Sequence, residues 1–201
     1  MKKALLMAAL AAAVVGGAFG GGKQAVSTFT DKRDGKVYRI VEIGGAVWMA
    51  ENLNYPAEGS VCYNNSADSC AKYGRLYNWE AALKACPAGY HLPSDNEWMA
   101  LVNYAGGETK AGKKLKSNAG WNNNGNGTDD YGWSALPGGG YLVGGFNYAG
   151  IFGNWWSATE DDASIARVRY MYYHREYVGW YDYIKMLLFS VRCMADKEAQ
   201  K

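Results

Sequence analysis

Few residues in this 201-residue chain could support histidine-based catalysis, because the sequence contains two histidines. His91 lies in the segment GYHLP at residues 89–93, and we interpret it as a structural histidine because no nucleophile or carboxylate stands beside it in a triad motif. His174 lies beside Arg175 and Glu176 at the expected end of a strand, where a solvated turn is predicted. A glycosidase needs two carboxylates about 5–10 Å apart across a cleft, and no motif identifies such a pair. We therefore predict a protein without enzymatic activity.

Four cysteines most simply form two disulfides in an exported chain, and three pairings are open to them. Cys62 and Cys70 bracket a short polar loop that a local disulfide could close, which leaves Cys86 to pair with Cys193. Metal thiolates are disfavoured, because no C-x-x-C motif occurs and neither histidine lies at zinc-ligand spacing from a pair of cysteines.

Hard oxygen ligands concentrate in residues 122–130, NNNGNGTDD, a glycine-containing segment of the kind that calcium sites use. Asn124, Asp129 and Asp130 are the candidate ligands, with the acidic residues 160–162 as a second source. The alternative is that these side chains form Asx turns, which are common in such sequences. Calcium is the single candidate cofactor, and otherwise none is expected.

The aromatic residues, 14% of the chain, divide into two groups. Five tryptophans lie within predicted helices or strands and are assigned to the core, namely Trp48, Trp79, Trp98, Trp155 and Trp156. Other rings lie in loops or late strands beside polar neighbours, where they can face outward and stack on sugar rings. The predicted ligand-binding residues are Trp121, Asn122, Tyr148, Tyr177, Trp180 and Tyr181, and Tyr183 belongs to the same group of rings.

Charge and glycine spacing do not indicate a nucleic-acid or nucleotide partner. The formal net charge is +2, from 21 basic and 19 acidic residues, and no G-x-G-x-x-G motif occurs. Lys110, Lys113, Lys114 and Lys116 form a basic cluster that we interpret as a solvated face rather than an anion site. No lysine or arginine occurs between residues 118 and 166, so this region should repel anions.

The chain pattern predicts a β-hairpin first and a meander of strands last. Gly44 and Gly45 mark the hairpin turn. One helix is predicted over residues 74–85, and a second begins after a capping box formed by Ser94 and Glu97 and ends near residue 105. A long glycine-rich loop region, defined as residues 105–153, follows. The later strands are predicted at residues 154–159, 167–173, 176–183 and 187–194.

The N-terminus is typical of a secretory signal peptide over residues 1–20, with two lysines followed by a short apolar run. That run is too short and alanine-rich to favour a membrane anchor. We expect a linker over residues 21–30, a domain over 31–196 and a polar tail over 197–201. The mature protein is then secreted or held at the cell surface, without a membrane span.

Six motifs carry a family resemblance. The motifs are WMAENLNY (48–55), YGRLYNWEAA (73–82), CPAGYHLPSDNEW (86–98), NGTDDYGWSALPGG (126–139), NWWSATE (154–160) and FSVRCMAD (189–196). In this order they resemble the Fibrobacter succinogenes major paralogous domain across residues 31–196, which implies an exported, surface-associated bacterial module.

A more remote resemblance is to the C-type-lectin-like fold, which the formylglycine-generating enzymes share. It implies an α+β domain with a twisted antiparallel sheet, two helices and a long loop that carries the ligand. The proline-centred motif and the Trp-Asn-Asp triplet of calcium-dependent lectins are absent. The reactive cysteine pair of the enzymes has no counterpart, because Cys193 occupies the position of a structural disulfide with Cys86 as its partner.

Together these features predict an exported, non-catalytic surface module that binds a carbohydrate, in particular a polysaccharide, or serves in adhesion. The alternative is a protein-binding or structural surface module, since the same rings could pack inward or contact a surface protein. An enzyme of the formylglycine-generating type is the third hypothesis.

Overall fold

Two β-sheets, a separate β-hairpin and four α-helices form residues 27–197, the part of the chain that this computed structural model describes. Residues 1–20, the predicted signal peptide, and most of the predicted polar tail lie outside the described residues. Helices combined with mainly antiparallel strands confirm the α+β class. The helices are α1 (Ala67–Tyr73), α2 (Trp79–Ala85), α3 (Asp95–Tyr104) and α4 (Glu108–Leu115).

Thirteen strands occur in the described part of the chain, eleven of them in the two main sheets. They are β1 (Ser27–Thr30), β2 (Val37–Ile43), β3 (Ala46–Met49), β4 (Ser60–Val61), β5 (Leu76–Tyr77), β6 (Tyr90–His91), β7 (Gly140–Leu142), β8 (Gly145–Asn147), β9 (Phe152–Glu160), β10 (Ile165–Tyr172), β11 (Gly179–Ile184), β12 (Phe189–Ser190) and β13 (Met194–Ala195).

The first sheet has the strand order β1–β2–β3–β13–β6. Gly44 and Gly45 join β2 to β3 as predicted, and their φ values of 63° and 78° suit a tight hairpin turn. Because β1 pairs with β2 along its length, residues 27–30 belong to this sheet. The prediction of a linker over residues 21–30 is therefore wrong for its last four positions.

The terminal strand β13 lies inside this first sheet. Met194 pairs with Trp48 of β3 on one side and with His91 of β6 on the other. The terminal strand is therefore a direct neighbour of the opening hairpin.

The second sheet has the order β11–β10–β9–β12–β5–β4. Strands β9, β10 and β11 form an antiparallel meander. After β11 the chain crosses over and enters between β9 and β5, so β12 runs parallel to β9, with Ser190 opposite Trp155. The prediction of a single antiparallel sheet is therefore corrected to two sheets, one of them mixed.

Two of the helices were predicted and two were not. Helix α3 begins with the expected capping box, in which the Ser94 amide donates to Glu97 Oε2 at 2.8 Å. Helix α2 starts at Trp79 rather than at residue 74, because the residues before its cap pair as β5. Helices α1 and α4 are additional, and α4 occupies the start of the predicted loop region.

Four indole rings form the centre of one core cluster. Trp98 lies 5.4 Å from Trp48 and 5.5 Å from Trp133, and Trp133 lies 5.4 Å from Trp155, measured between ring centroids. The five tryptophans predicted as core are all buried, which confirms that prediction. Trp133, from the glycine-rich loop, was not predicted to be core. Each such aromatic contact contributes about 0.5–1.5 kcal/mol beyond area burial.

The disulfides are Cys62–Cys70 and Cys86–Cys193, as spacing favoured, with Cα–Cα distances of 5.0 and 5.8 Å. The shorter one closes the loop between β4 and α1, and the longer one joins the end of α2 to the segment before β13. Among residues 27–197, no helix combines the length and apolarity needed to cross a bilayer.

Candidate functional site

An aromatic cleft of about 440 Å³ lies on one face of the second sheet, and we call it the tyrosine cleft. Six of its lining residues are tyrosines, namely Tyr148, Tyr170, Tyr172, Tyr177, Tyr181 and Tyr183. The other lining residues are Leu142, Phe152, Asn154 and Phe189.

Strand register brings these rings together. Along β10, Tyr170 pairs with Asn154 and Tyr172 pairs with Phe152 of β9. On the other side, Tyr181 of β11 pairs with Val168 of β10. Because alternate residues of a strand point to the same face, the even positions of β9 and β10 and the odd positions of β11 form one aromatic floor.

The rings support one another, so the floor is firmly packed. Tyr181 stacks on Tyr170 at 4.9 Å with an interplanar angle of 10°, and Phe152 stacks on Tyr172 at 4.3 Å and 15°. The Tyr177 ring stands edge-on to Tyr170 at 5.9 Å. One face of the Tyr181 ring is thus covered while the residue remains 53% exposed. This arrangement offers a flat and pre-oriented surface to a ligand.

Tyrosine hydroxyls supply the main polar groups of the cleft. The Tyr170 and Tyr177 hydroxyl oxygens lie 3.2 Å apart. Burial, followed by the neighbouring hydroxyls, raises the pKa of Tyr170 well above its ordinary value, and burial also raises the pKa of Tyr183. These hydroxyls therefore remain protonated at neutral pH and can both donate and accept hydrogen bonds.

One wall of the cleft comes from the glycine-rich loop region. The β7–β8 hairpin is tied to the segment before β12 by two hydrogen bonds between Tyr141 and Leu188. A Cβ atom at Gly140 would lie 2.7 Å from the Phe189 ring, so glycine lets the hairpin approach the sheet this closely. The hairpin thereby places Leu142 beside Phe189 at the edge of the cleft.

A buried lysine, Lys116, fixes the turn that follows β10. The Lys116 ammonium donates to the carbonyl oxygens of Gly125 at 2.7 Å, Tyr173 at 2.9 Å and Arg175 at 3.0 Å. Burial lowers the pKa of Lys116 to about 8, which leaves the side chain charged at neutral pH. The prediction of a solvated face is wrong at this position, because the ammonium fixes the turn that leads from β10 to Tyr177.

Replacing Lys116 with methionine should lower the free energy of unfolding by about 3 kcal/mol, because buried carbonyl oxygens lose a charged donor and no new donor replaces it. Urea denaturation at pH 7 measures this loss. The matched control is Lys110→Met at an exposed position of α4, the helix that Lys116 follows, and it should change stability by less than about 0.5 kcal/mol. Equal effects of the two substitutions would contradict the anchoring role.

The structure brings Tyr148, Tyr177 and Tyr181 of the predicted ligand set into the tyrosine cleft. Trp180 lies on the opposite face of β11 from Tyr181, as neighbours in a strand must. Trp121 is 4% exposed and donates its indole N–H to Ala135, so its predicted outward position is wrong.

Asn122 is an exposed residue that contacts the turn at Gly150. Its backbone N–H donates to the carbonyl oxygen of Gly150, and a Cβ at Gly150 would collide with the Asn122 side chain at 2.5 Å. The residue supports the turn that follows Tyr148 and is not among the lining residues of the cleft.

Sequence reasoning missed four residues of the floor: Phe152, Asn154, Tyr170 and Tyr172. The run ARVRYMY in β10 contains a usable signal, because its alternate positions are Val168, Tyr170 and Tyr172. What the sequence does not reveal is which neighbouring strands share that face.

The candidate calcium ligands are not gathered into a metal centre. The two Asp129 carboxylate oxygens accept from the Ser134 amide at 2.7 Å and from its hydroxyl at 2.6 Å. Asn124 and Asp130 are exposed. Across residues 27–197, no group of three or more histidine, cysteine, aspartate or glutamate side chains could hold a metal ion. The segment at Asp129 thus forms a side-chain-stabilised turn, which was the alternative to a calcium site.

His91 lies between two carboxylates, contrary to expectation. Its Nδ1 is 2.6 Å from Asp196 Oδ1, and its Nε2 is 3.1 Å from Glu97 Oε1. The Ser94 hydroxyl donates to Glu97 rather than to the imidazole, so no serine–histidine contact forms. Burial raises the pKa of Glu97, but the Ser94 hydrogen bonds and His91 lower it overall. The cluster joins β6, α3 and the residue after β13, which suits a structural role.

Fold and cleft together describe an α+β domain with a tyrosine-lined cleft whose lining residues are uncharged. The chain belongs to the Fibrobacter succinogenes major domain family, whose profile matches residues 41–194. This confirms the family predicted from the motifs, and the matched range includes every residue of the tyrosine cleft. Neither a curated protein nor a solved structure gives a significant match to the chain.

Proposed function

We propose that this domain is an exported, non-catalytic module that binds an uncharged carbohydrate in the tyrosine cleft. The observation that supports the proposal most directly is the composition of the lining, which has six tyrosines, two phenylalanines, one leucine and one asparagine. The volume of about 440 Å³ is in the range of small-molecule sites.

Carbohydrate is the ligand class that matches both properties of this surface. The faces of a sugar ring present C–H groups, which pack on the electron-rich face of an aromatic ring. The sugar rim presents hydroxyl groups, which can exchange hydrogen bonds with protonated tyrosine hydroxyls and with the Asn154 amide. Tyr148, at 49% exposed, and Tyr181, at 53%, offer the most accessible rings.

The lack of carboxylate, imidazole, thiol and ammonium groups among the lining side chains supports a binding role over catalysis. The lining residues of the tyrosine cleft include no aspartate, glutamate, histidine, cysteine or lysine. Glycoside hydrolysis in its usual form needs two carboxylates across the scissile bond, and acyl transfer needs an activated nucleophile.

Location and framework complete the proposal. Two disulfides fit an oxidising compartment, and the N-terminal sequence has the pattern of a cleaved signal peptide. We assign the framework to the C-type-lectin-like type, since its terminal strand returns to the opening hairpin and the glycine-rich region forms a wall of the site. Calcium stays a candidate ion, so a chelator belongs in every binding assay.

Tyr181→Ala should weaken binding to a neutral oligosaccharide at least tenfold, equivalent to about 1.4 kcal/mol, because the exposed stacking face is removed. Tyr181→Phe keeps the ring and should retain most of the affinity. Tyr104→Ala removes a 57% exposed tyrosine outside the cleft and is the matched control. Isothermal titration with cello-, xylo- and manno-oligosaccharides, with and without chelator, measures these affinities.

Two results would contradict the carbohydrate role. One is an equal loss of affinity in Tyr181→Ala and Tyr104→Ala. The other is the absence of binding to any glycan by the folded wild type, which would favour the protein-binding or structural alternative.

A further inference from the structure

A second groove of about 460 Å³ adjoins the tyrosine cleft. The two share three lining residues, Tyr170, Tyr177 and Tyr181. Trp180 contributes a large ring to the second groove, and helix α4 contributes Glu108 and Thr109. The shared tyrosines therefore form a common boundary, with a surface for ligand on each side of it.

The Trp180 ring is built as a platform in the same way as the Tyr181 ring. The Arg167 guanidinium lies 4.1 Å from the centre of the Trp180 ring. Arg167 is itself held by Asp182, with its Nε 2.9 Å from Oδ1, and by a longer contact of 3.5 Å to Asp95. The tryptophan nevertheless stays 46% exposed. A charged side chain thus orients the ring while much of its surface remains open to solvent.

Gly179 lets the two surfaces meet. A Cβ atom at this position would lie 2.4 Å from the Tyr170 ring, so only glycine allows that ring to cross β11 here. Tyr181 and Trp180 project to opposite sides of β11, which is an edge strand of its sheet. The tyrosine cleft and the second groove therefore meet at Gly179, where the Tyr170 ring belongs to the lining of both.

Glu108 is the one charged residue in the lining of the second groove. It is half exposed there, and its Oε1 lies 3.8 Å from the Arg169 guanidinium. A carboxylate and the Thr109 hydroxyl can accept hydrogen bonds from sugar hydroxyls, and the lining of the second groove includes no lysine or arginine to pair with an anionic sugar.

We infer that the tyrosine cleft and the second groove form one extended site, and that its ligand is a linear, uncharged polysaccharide bound through several consecutive sugar units. This inference rests on the proposed carbohydrate-binding function and goes beyond it in ligand length, chain form and charge. A terminal monosaccharide would occupy the tyrosine cleft alone, whereas a chain also contacts Trp180.

A ladder of β-1,4-linked glucose oligomers from disaccharide to hexasaccharide, with xylose and mannose ladders in parallel, tests the inference by titration calorimetry. The affinity of the wild-type protein for a ladder that it binds should rise by about tenfold or more with length. Trp180→Ala should remove that rise and leave disaccharide binding within about twofold of wild type. Tyr104→Ala should preserve the rise. Oligogalacturonides of matched length should bind more weakly than the neutral oligomers.

The possible failures are distinguishable. Disaccharide binding that is independent of ligand length, or a length dependence unchanged by Trp180→Ala, would overturn the extended site and leave the proposed function standing. Preference for the anionic oligomers would overturn the assigned charge. Binding of no oligomer by a folded wild type would overturn both proposals. Thermal melting of each variant ensures that a lost affinity is not lost folding.

Discussion

Substitution of Arg192 by leucine is expected to lower the free energy of unfolding by about 4 kcal/mol, because leucine cannot donate the hydrogen bonds that the fully buried guanidinium makes. Its guanidinium Nη1 donates to the carbonyl oxygen of Trp133 at 2.5 Å, and Nη2 donates to the Asn52 side-chain oxygen at 2.8 Å. The group also lies 4.0 Å from the centre of the Trp133 ring.

The partners of Arg192 explain the size of this effect. Burial lowers its pKa to about 9, so the group is still charged at neutral pH. Its ligands are backbone and amide oxygens, and among the described residues no carboxylate lies within salt-bridge distance of it. A buried ion pair can be replaced as a whole by apolar side chains, but backbone carbonyl oxygens stay in place. Leucine would leave them buried without a donor.

Urea denaturation of Arg192→Leu and Arg192→Lys checks the prediction. Lysine should retain part of the stability because it keeps the positive charge, but not all of it, because it lacks the planar guanidinium that reaches several acceptors at once. Arg39→Leu is the matched control, since Arg39 forms an exposed pair with Glu51. That control should cost less than about 1 kcal/mol. A cost below about 1 kcal/mol for Arg192→Leu would refute the role assigned to this side chain.

Removal of the Cys86–Cys193 disulfide by paired alanine substitutions should cost about 4–5 kcal/mol in the chain-entropy model. The bond closes a loop with a sequence separation of 107 residues, whereas Cys62–Cys70 spans 8. Since loop-closure entropy grows with the logarithm of loop length, the same model gives about 2.5 kcal/mol for the shorter bond.

The comparison of the two double-alanine proteins is the decisive measurement, because each serves as the control for the other. Chemical denaturation without reductant gives both free energies of unfolding. If loss of Cys62–Cys70 lowers the free energy of unfolding more than loss of Cys86–Cys193, the chain-entropy explanation of the longer disulfide is contradicted.

Local sequence signals predicted the elements that depend on local interactions. The Gly44–Gly45 turn, the Ser94 capping box and the buried tryptophans of regular elements each follow from a few neighbouring residues. The cysteine pairing followed from spacing, because the polar loop between Cys62 and Cys70 is short enough to close by itself.

The features that escaped sequence reasoning depend on long-range register. Tyr170 joins the site because β10 pairs with both β9 and β11, and no local pattern specifies those partners. Lys116 follows Leu115 at the end of α4, and the neighbouring lysines of this helix favour a solvated position for it. It becomes buried because the turn after β10 folds over it, with four carbonyl oxygens in reach of the ammonium.

The position of β13 between β3 and β6 has a consequence for the order of folding. The five strands of the first sheet are joined only after Met194 has paired with Trp48, which is far away along the chain. Contacts of such large sequence separation form slowly, because much chain entropy is lost before they stabilise the product. A nascent chain that lacks its last dozen described residues thus leaves β3 and β6 with unpaired edges, and the domain should remain protease-sensitive until that strand is in place.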